Sequence, residues 1–421
     1  MPRAGRRGGF RIPGVDDGHP RRGEAPEKAG SAGEVFRAFL KLGVTSFGGP
    51  VAHLGYFRDE LVLRRRWLDE RSYAETVALC QFLPGPASSQ VGFALGLQRA
   101  GFAGALAAWS AFTLPSAIIL FVFAYGAGAL NGPLGQALVH GLKLVAVPIV
   151  AHAIWGMARS LTPDLQRATI AVAALVLATF VPTALGQVGA IAAGGAVGLW
   201  LCRNGNATVR PTIVSGVGRR VGLLCLAAFA ALLVGLPLAA SSNGAHGLAL
   251  FDSFYRAGAL VFGGGHVVLP LLEAEVVTSG WISEDGFLAG YGAAQAIPGP
   301  LFTFASYLGA VSGPEPNGAA GATIALVAIF LPGLLLLVGA LPFWTVLRGR
   351  SWAQAALAGT NAAVVGILSS AFLDPVWSSA IEAPSDVVIA AAGLVALSFA
   401  KIPAWGVVAG VSGASVLQTL I

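Results

Sequence analysis

Two basic residues stand in apolar surroundings at matched places in this chain. Lys41 lies six residues before Phe47-Gly48-Gly49-Pro50, and Arg256 lies six residues before Phe262-Gly263-Gly264. A cation inside a lipid-embedded segment is costly, so it is usually paired or functional. Two such cations could compensate a doubly charged oxyanion, or each could snorkel from near a helix end to an interface. The neighbouring glycines would let backbone approach an anion closely, and helix starts opened there would add N–H donors.

A second pair of stretches carries Gln81-Phe82-Leu83-Pro84-Gly85-Pro86 and Gln295-Ala296-Ile297-Pro298-Gly299-Pro300. Pro-Gly-Pro removes two backbone donors and adds a flexible position, so it interrupts a helix. In lipid, such a break is tolerated only where protein or a cavity covers it. Gln81, Ser88, Ser89 and Gln295 could hydrogen-bond a desolvated anion or satisfy the broken backbone. Lys143, matched by Asn361, could break the symmetry of a site or snorkel. His53 and His266 sit beside the glycine motifs and could carry a proton or simply pack. The substrate-binding candidates are therefore Lys41, Phe47, Gly48, Gly49, Gln81, Pro84, Gly85, Pro86, Ser88, Lys143, Arg256, Phe262, Gly263, Gly264, His266, Gln295, Pro298, Gly299 and Pro300. Glu60 and Glu275 read as loop-facing pairing or capping groups. No carboxylate lies deep enough for an obvious sodium or proton relay, so counter-anion exchange and proton coupling both stay open.

These stretches imply an internal duplication. The offset is 215 residues at the first motif and 214 at the second, and Trp67/Trp281, Tyr73/Phe287 and Glu60/Glu275 fall in register between them. Chance matches of Gly and Pro come easily in a chain with 57 Gly and 24 Pro, but ordered motifs with aromatic markers do not. Paired broken segments in two halves point to a transporter substrate site, and close helix packing by small residues is the plainer alternative.

The elements that must hold these groups are membrane helices. The chain is 55% hydrophobic and only 11% charged, whereas soluble domains carry about 25% charged residues. The pattern predicts an all-alpha polytopic membrane protein. It would be built of two homologous helical repeats, inverted relative to each other, with broken or re-entrant helices. Residues 1–33 read as a disordered basic tail, 34–202 as the first repeat, 203–247 as a linker with an unpaired span, and 248–421 as the second repeat. Thirteen spans are expected, near 36–57, 76–98, 103–128, 136–158, 167–182, 184–201, 221–240, 251–272, 288–310, 318–342, 353–373, 386–400 and 402–420. Pro115 and Pro332 fall in corresponding spans. With a cytoplasmic N-terminus, most Lys and Arg fall inside. The conflict is Arg58 to Arg71, which this count puts outside; a re-entrant 36–57 segment would change it.

The formal charge of +6 does not point to nucleic acid, since no basic helix or zinc finger appears. Cys80, Cys202 and Cys225 lack ligand spacing, so neither metal nor cofactor is expected. No nucleotide-binding loop or His-Glu-x-x-His is present, which argues against a pump or a metalloprotease.

The motifs resemble the chromate ion transporter family in its long two-domain form. The resemblance rests on Phe39-Leu40-Lys41-Leu42-Gly43 leading into Phe47 to Pro50, then His53, Arg64-Arg65-Arg66-Trp67 and Gln81 to Pro86. In the second half it rests on Phe262 to Pro270 and Gln295 to Pro300, and it covers about 33–420. It implies a multi-pass inner-membrane protein, not an enzyme, that exports chromate and confers chromate resistance. Sulfate is implied as a related or exchanged anion. A sulfate or general oxyanion carrier and an anion channel are the alternatives, and a homodimer is left open.

Overall fold

A computed structural model of the chain describes residues 30–127, 132–202, 217–344 and 349–420. Most of the expected tail and residues 203–216 of the expected linker lie outside them. The described residues are helical apart from turns and loops.

The first repeat opens with two hairpins. Ser31 caps α1 (Ala32–Thr45) by accepting the Glu34 N–H at 3.1 Å. The chain then reverses through Gly48 and Gly49, whose φ angles of +98° and +75° strain any residue with a Cβ. It returns as α2 (Gly49–Phe57) and a wide π turn, Arg58–Arg64. Two contacts fix the reversal. Lys41 Nζ meets Glu60 at 2.8 Å, and Trp67 Nε1 donates to Glu34 at 3.0 Å, so the start of α1 lies beside the end of the returning arm. The second hairpin joins α3 (Glu70–Phe82) to the start of α4 (Ala87–Ala127) through Leu83-Pro84-Gly85-Pro86. Arg99 reaches Glu34 at 3.4 Å, so both hairpins open at one end of the molecule. There α4 breaks at Ala100 and Gly101, and its remainder runs away from that end.

The second repeat repeats the plan from the opposite end. One hairpin joins α9 (His246–Ala259) to α10 (Val268–Val276). The next joins α11 (Glu284–Gln295) to α12 (Phe304–Val311). Their mouths close on Trp281, which stacks edge-on with His246 at 4.5 Å and accepts the Gly313 N–H at 2.9 Å. The far half of α4 connects the two mouths. It leaves Arg99 at the first and brings the Tyr125 hydroxyl against Gly318, beyond the second. About 24 helical residues, 102–125, separate them, roughly 36 Å at 1.5 Å per residue.

The expected spans near 36–57, 76–98, 251–272 and 288–310 are therefore not crossings. Each turns back at its glycine or Pro-Gly-Pro break. Apolar length is the same whether a chain continues or reverses, so composition counts a hairpin as a span. The correction also removes the conflict at Arg58 to Arg71, because these residues lie at the same end as Glu34 and Arg99.

Among the described residues, six helices are long and apolar enough to cross a membrane. They are α4, α5 (Pro133–Leu161), α7 (Ala184–Leu201), α8 (Arg219–Asn243), α13 (Gly318–Ala340) with its 3-10 extension, and α14 (Ser351–Ala371) with the turns after it. The most apolar window of α8 is only 6% buried by protein, which suits lipid as its surroundings.

The remaining helices are exchanged between repeats. α6 (Leu165–Phe180) and α7 pack on α14 of the second repeat, with Gly194 and Gly198 against Gly359. α15 (Pro384–Ser398) and α16 (Ala404–Leu420) pack on α5 of the first, where Ser415 Oγ donates to Ala137 O at 2.9 Å. Polar ties match as well: Thr179–Ser370 at 2.9 Å and His152–Ser398 at 3.0 Å.

Candidate functional site

The hairpin tips of the two repeats cross. Gly85 N–H donates to Val261 O at 2.7 Å, and Gly299 N–H donates to Ser46 O at 2.9 Å. Gly85 and Gly299 are equivalent in the duplication, as are Ser46 and Val261. Each Pro-Gly-Pro loop thus pins the glycine loop of the other repeat. Both central glycines have positive φ, +119° at Gly85 and +98° at Gly299.

Each Pro-Gly-Pro loop also lies on the proline-bearing long helix of the other repeat. A Cβ on Gly85 would come within 3.0 Å of Gly333 Cα, beside Pro332 in α13. A Cβ on Gly299 would run into Ser116, beside Pro115 in α4. Gln90 Nε2 bridges Pro84 O at 3.0 Å and Gly333 O at 2.9 Å, while Ser116 Oγ donates to Pro298 O. The carbonyls freed by the breaks are partly satisfied by these side chains, as a lipid-embedded backbone requires.

Helix starts meet at this crossing. A Cβ on Gly265, which opens the turn into α10, would lie 3.1 Å from Pro50, at the start of α2. It would lie 3.9 Å from Leu301, which opens the turn into α12. N–H groups at helix starts carry partial positive charge and favour anions. The equivalent Gly48 and Gly263 are exposed, so the tips border open space. Several buried side-chain atoms nearby have no hydrogen-bond partner: Ser46 Oγ, Ser89 Oγ and Gln90 Oε1. Buried polar groups are normally paired. The Ser46 and Ser89 hydroxyls are neutral donors beside helix starts and can help hold a desolvated oxyanion, whereas Gln90 Oε1 can only accept.

The structure distributes the sequence candidates unevenly. It brings Gly48, Gly49, Pro84, Gly85, Pro86, Gly263, Gly264, Pro298, Gly299 and Pro300 to the crossing loops. His266 Nδ1 pairs with the Tyr291 hydroxyl at 2.8 Å, and Gln295 lies one turn beyond Tyr291. Phe47 turns toward Trp405 of α16 at 6.4 Å. Phe262 packs half-buried on the main core, Ser88 is buried just after Pro86, and Gln81 is exposed on α3.

Lys41 and Arg256 lie further down the hairpin arms, each on a carboxylate. Lys41 pairs with Glu60 at 2.8 Å and Arg256 with Glu275 at 3.0 Å, both across 19 residues. Glu60 also accepts from Arg64 at 3.0 Å and Arg65 at 2.8 Å, and Arg256 also pairs with Asp252 at 3.0 Å. The sequence carried the sign of this: both cation–carboxylate spacings recur in the duplication. At the first mouth, the hydrogen-bonded Arg58 guanidinium holds the Glu70 carboxyl below the usual carboxylate range.

Lys143 stands apart, on α5, against Asp285 at 2.7 Å and Glu382 at 3.2 Å. Sequence reasoning passed over Glu382, Gln90, Ser46 and Ser116, because each acts on a segment far away in the chain. Among the described residues no group of His, Cys, Asp and Glu has the arrangement of a metal site.

Comparison with known proteins bears on this geometry. The family model described as chromate transporter matches the chain twice, at residues 33–199 and 248–416. A chromate transport protein of Pseudomonas aeruginosa is 29% identical over 373 residues, covering 86% of each chain. A probable chromate transport protein of Synechococcus elongatus is 32% identical over 314 residues, 74% of this chain and 76% of its own. One from Cupriavidus metallidurans is 26% identical over 378 residues, 88% of this chain and 89% of its own. No solved structure matches the chain.

Proposed function

The chain belongs to the chromate transporter family, and from that premise we propose that it is a secondary transporter exporting chromate across the cytoplasmic membrane and so conferring chromate resistance. The multi-pass helical architecture and the family agree on a membrane-embedded carrier of an oxyanion. The observation that carries the reading is the reciprocal pair of backbone hydrogen bonds, Gly85 to Val261 and Gly299 to Ser46. A symmetric crossing of broken helices, reached by hairpins from opposite ends, is a two-sided structure. Rocking one repeat against the other would expose it to each side in turn.

In this proposal 34–202 and 248–421 are the two transporter repeats, and 203–247 supplies the linker and the unpaired span. Chromate binds at the crossing, held by helix-start N–H groups and neutral side-chain donors. Lys41 and Arg256 act one layer out, by tying each hairpin's arms together. Sulfate has the same shape and charge, so the site accepts it as a competitor or counter-anion. One chain supplies both halves of the crossing, and the bare flank of α8 faces lipid or a second copy.

The test is uptake of labelled chromate into everted membrane vesicles, with and without internal sulfate and a proton gradient. Saturable uptake that sulfate competes with is the expected result. Sulfate uptake without chromate uptake would favour the sulfate carrier, and conductance without saturation or counterflow would favour a channel.

A further inference from the structure

We propose that Lys143 is a second, transient oxyanion site at the mouth opposite the N-terminal hairpins, where the anion displaces Asp285 and Glu382 on its way through. This rests on the transporter reading above and adds a site to its path.

The argument begins from which partner of each ion pair is buried. Lys41 has a side chain 48% exposed, and its partner Glu60 is 7% exposed. There the buried charge is the carboxylate, and the cations gather to serve it. Lys143 is the reverse. Its side chain is 7% exposed, while Asp285 and Glu382 are 67% and 62% exposed. Swinging either carboxylate into water costs little, because water solvates it fully. The lysine left behind is a buried cation that needs a counter-charge. A dianion can provide it, and two monovalent carboxylates can give way to it.

Space is present for the exchange. Lys143 lines a cavity of about 570 Å³ together with His140, Asp285, Glu382 and Ser415. One water's share of the liquid is about 30 Å³, so a tetrahedral oxyanion fits with room to turn. The carboxylates come from the second repeat and the lysine from the first, so the exchange also unfastens one repeat from the other. His140 is 3.4 Å from Glu382 and 3.3 Å from Asp386, within reach of the same carboxylate.

Purified full-length protein and labelled chromate test this by equilibrium binding. Asp285→Asn/Glu382→Gln removes the competitors at exposed positions, where folding should tolerate the change. The double variant should bind chromate about tenfold more tightly, and in vesicles it should lower KM and kcat together through slow release. Adding Lys143→Ala should abolish the gain, and Lys143→Arg should keep it. Unchanged or weaker binding by the double variant would overturn the proposal, as would a gain that survives Lys143→Ala. Labelled sulfate in the same assay separates the two readings. A Lys143-dependent gain with sulfate alone keeps this site and rejects chromate as the substrate. Absence of binding with both anions in every variant rejects both.

Discussion

In the first repeat, Glu60 sits among Lys41, Arg64 and Arg65; in the second, Arg256 sits between Asp252 and Glu275. The bridge between the hairpin arms is the same in both, a cation and a carboxylate 19 residues apart. The surplus is opposite, with three cations to one carboxylate in the first cluster and two carboxylates to one cation in the second. The duplicated feature is the fastening, which is common to both halves. The unduplicated feature is the sign of the remaining charge. The two mouths thus share a fastening and differ in the sign of their surplus charge.

The sharpest way to break this comparison lies at the crossing itself. Gly85→Val and Gly299→Val should each cut chromate uptake about 100-fold, since small misplacements of a site cost that much. Both positions need positive φ and abut the opposite repeat. A variant protein that transports normally at one position would show that the two loops are not functionally equivalent.

Next in size, the fastenings should differ in strength. Arg256→Ala leaves Asp252 and Glu275 buried without their cation, at a cost of about 3–5 kcal/mol. Lys41→Ala leaves Glu60 with Arg64 and Arg65, and Lys41 is half exposed, so about 1 kcal/mol is expected. Tm in detergent and membrane abundance check the order. Equal losses would mean that Arg64 and Arg65 do not share the load.

A smaller contrast concerns the side chains that tie the loops down. Gln90→Ala frees two carbonyls and Ser116→Ala frees one. At about 1–3 kcal/mol per unsatisfied buried group, Gln90→Ala should lower Tm the more. At the bottom of the scale, Glu70→Ala breaks only the exposed Arg58–Glu70 pair and should leave both Tm and transport unchanged.

Much of this was legible in the chain itself. The duplication, the two loop motifs and the membrane class followed from spacing and composition. The reversal at Phe47-Gly48-Gly49 was legible only as a re-entrant alternative to a crossing, because hydropathy measures how much apolar chain there is and says nothing of its direction. The cations were seen, but their carboxylates were read separately, although Lys41/Glu60 and Arg256/Glu275 share one spacing. Gln90 and Ser116 were invisible for a different reason. Their partners, Gly333 and Pro298, lie in the other repeat, and only folding brings them close.

The exchange of closing helices has a consequence for how such proteins can be divided. Because α6 and α7 line α14, and α15 and α16 line α5, neither half encloses itself. A polypeptide ending at the midpoint would present a groove shaped for helices it does not own. Two separately made halves should therefore find each other in the bilayer and reconstitute one carrier, whereas either made by itself should be degraded.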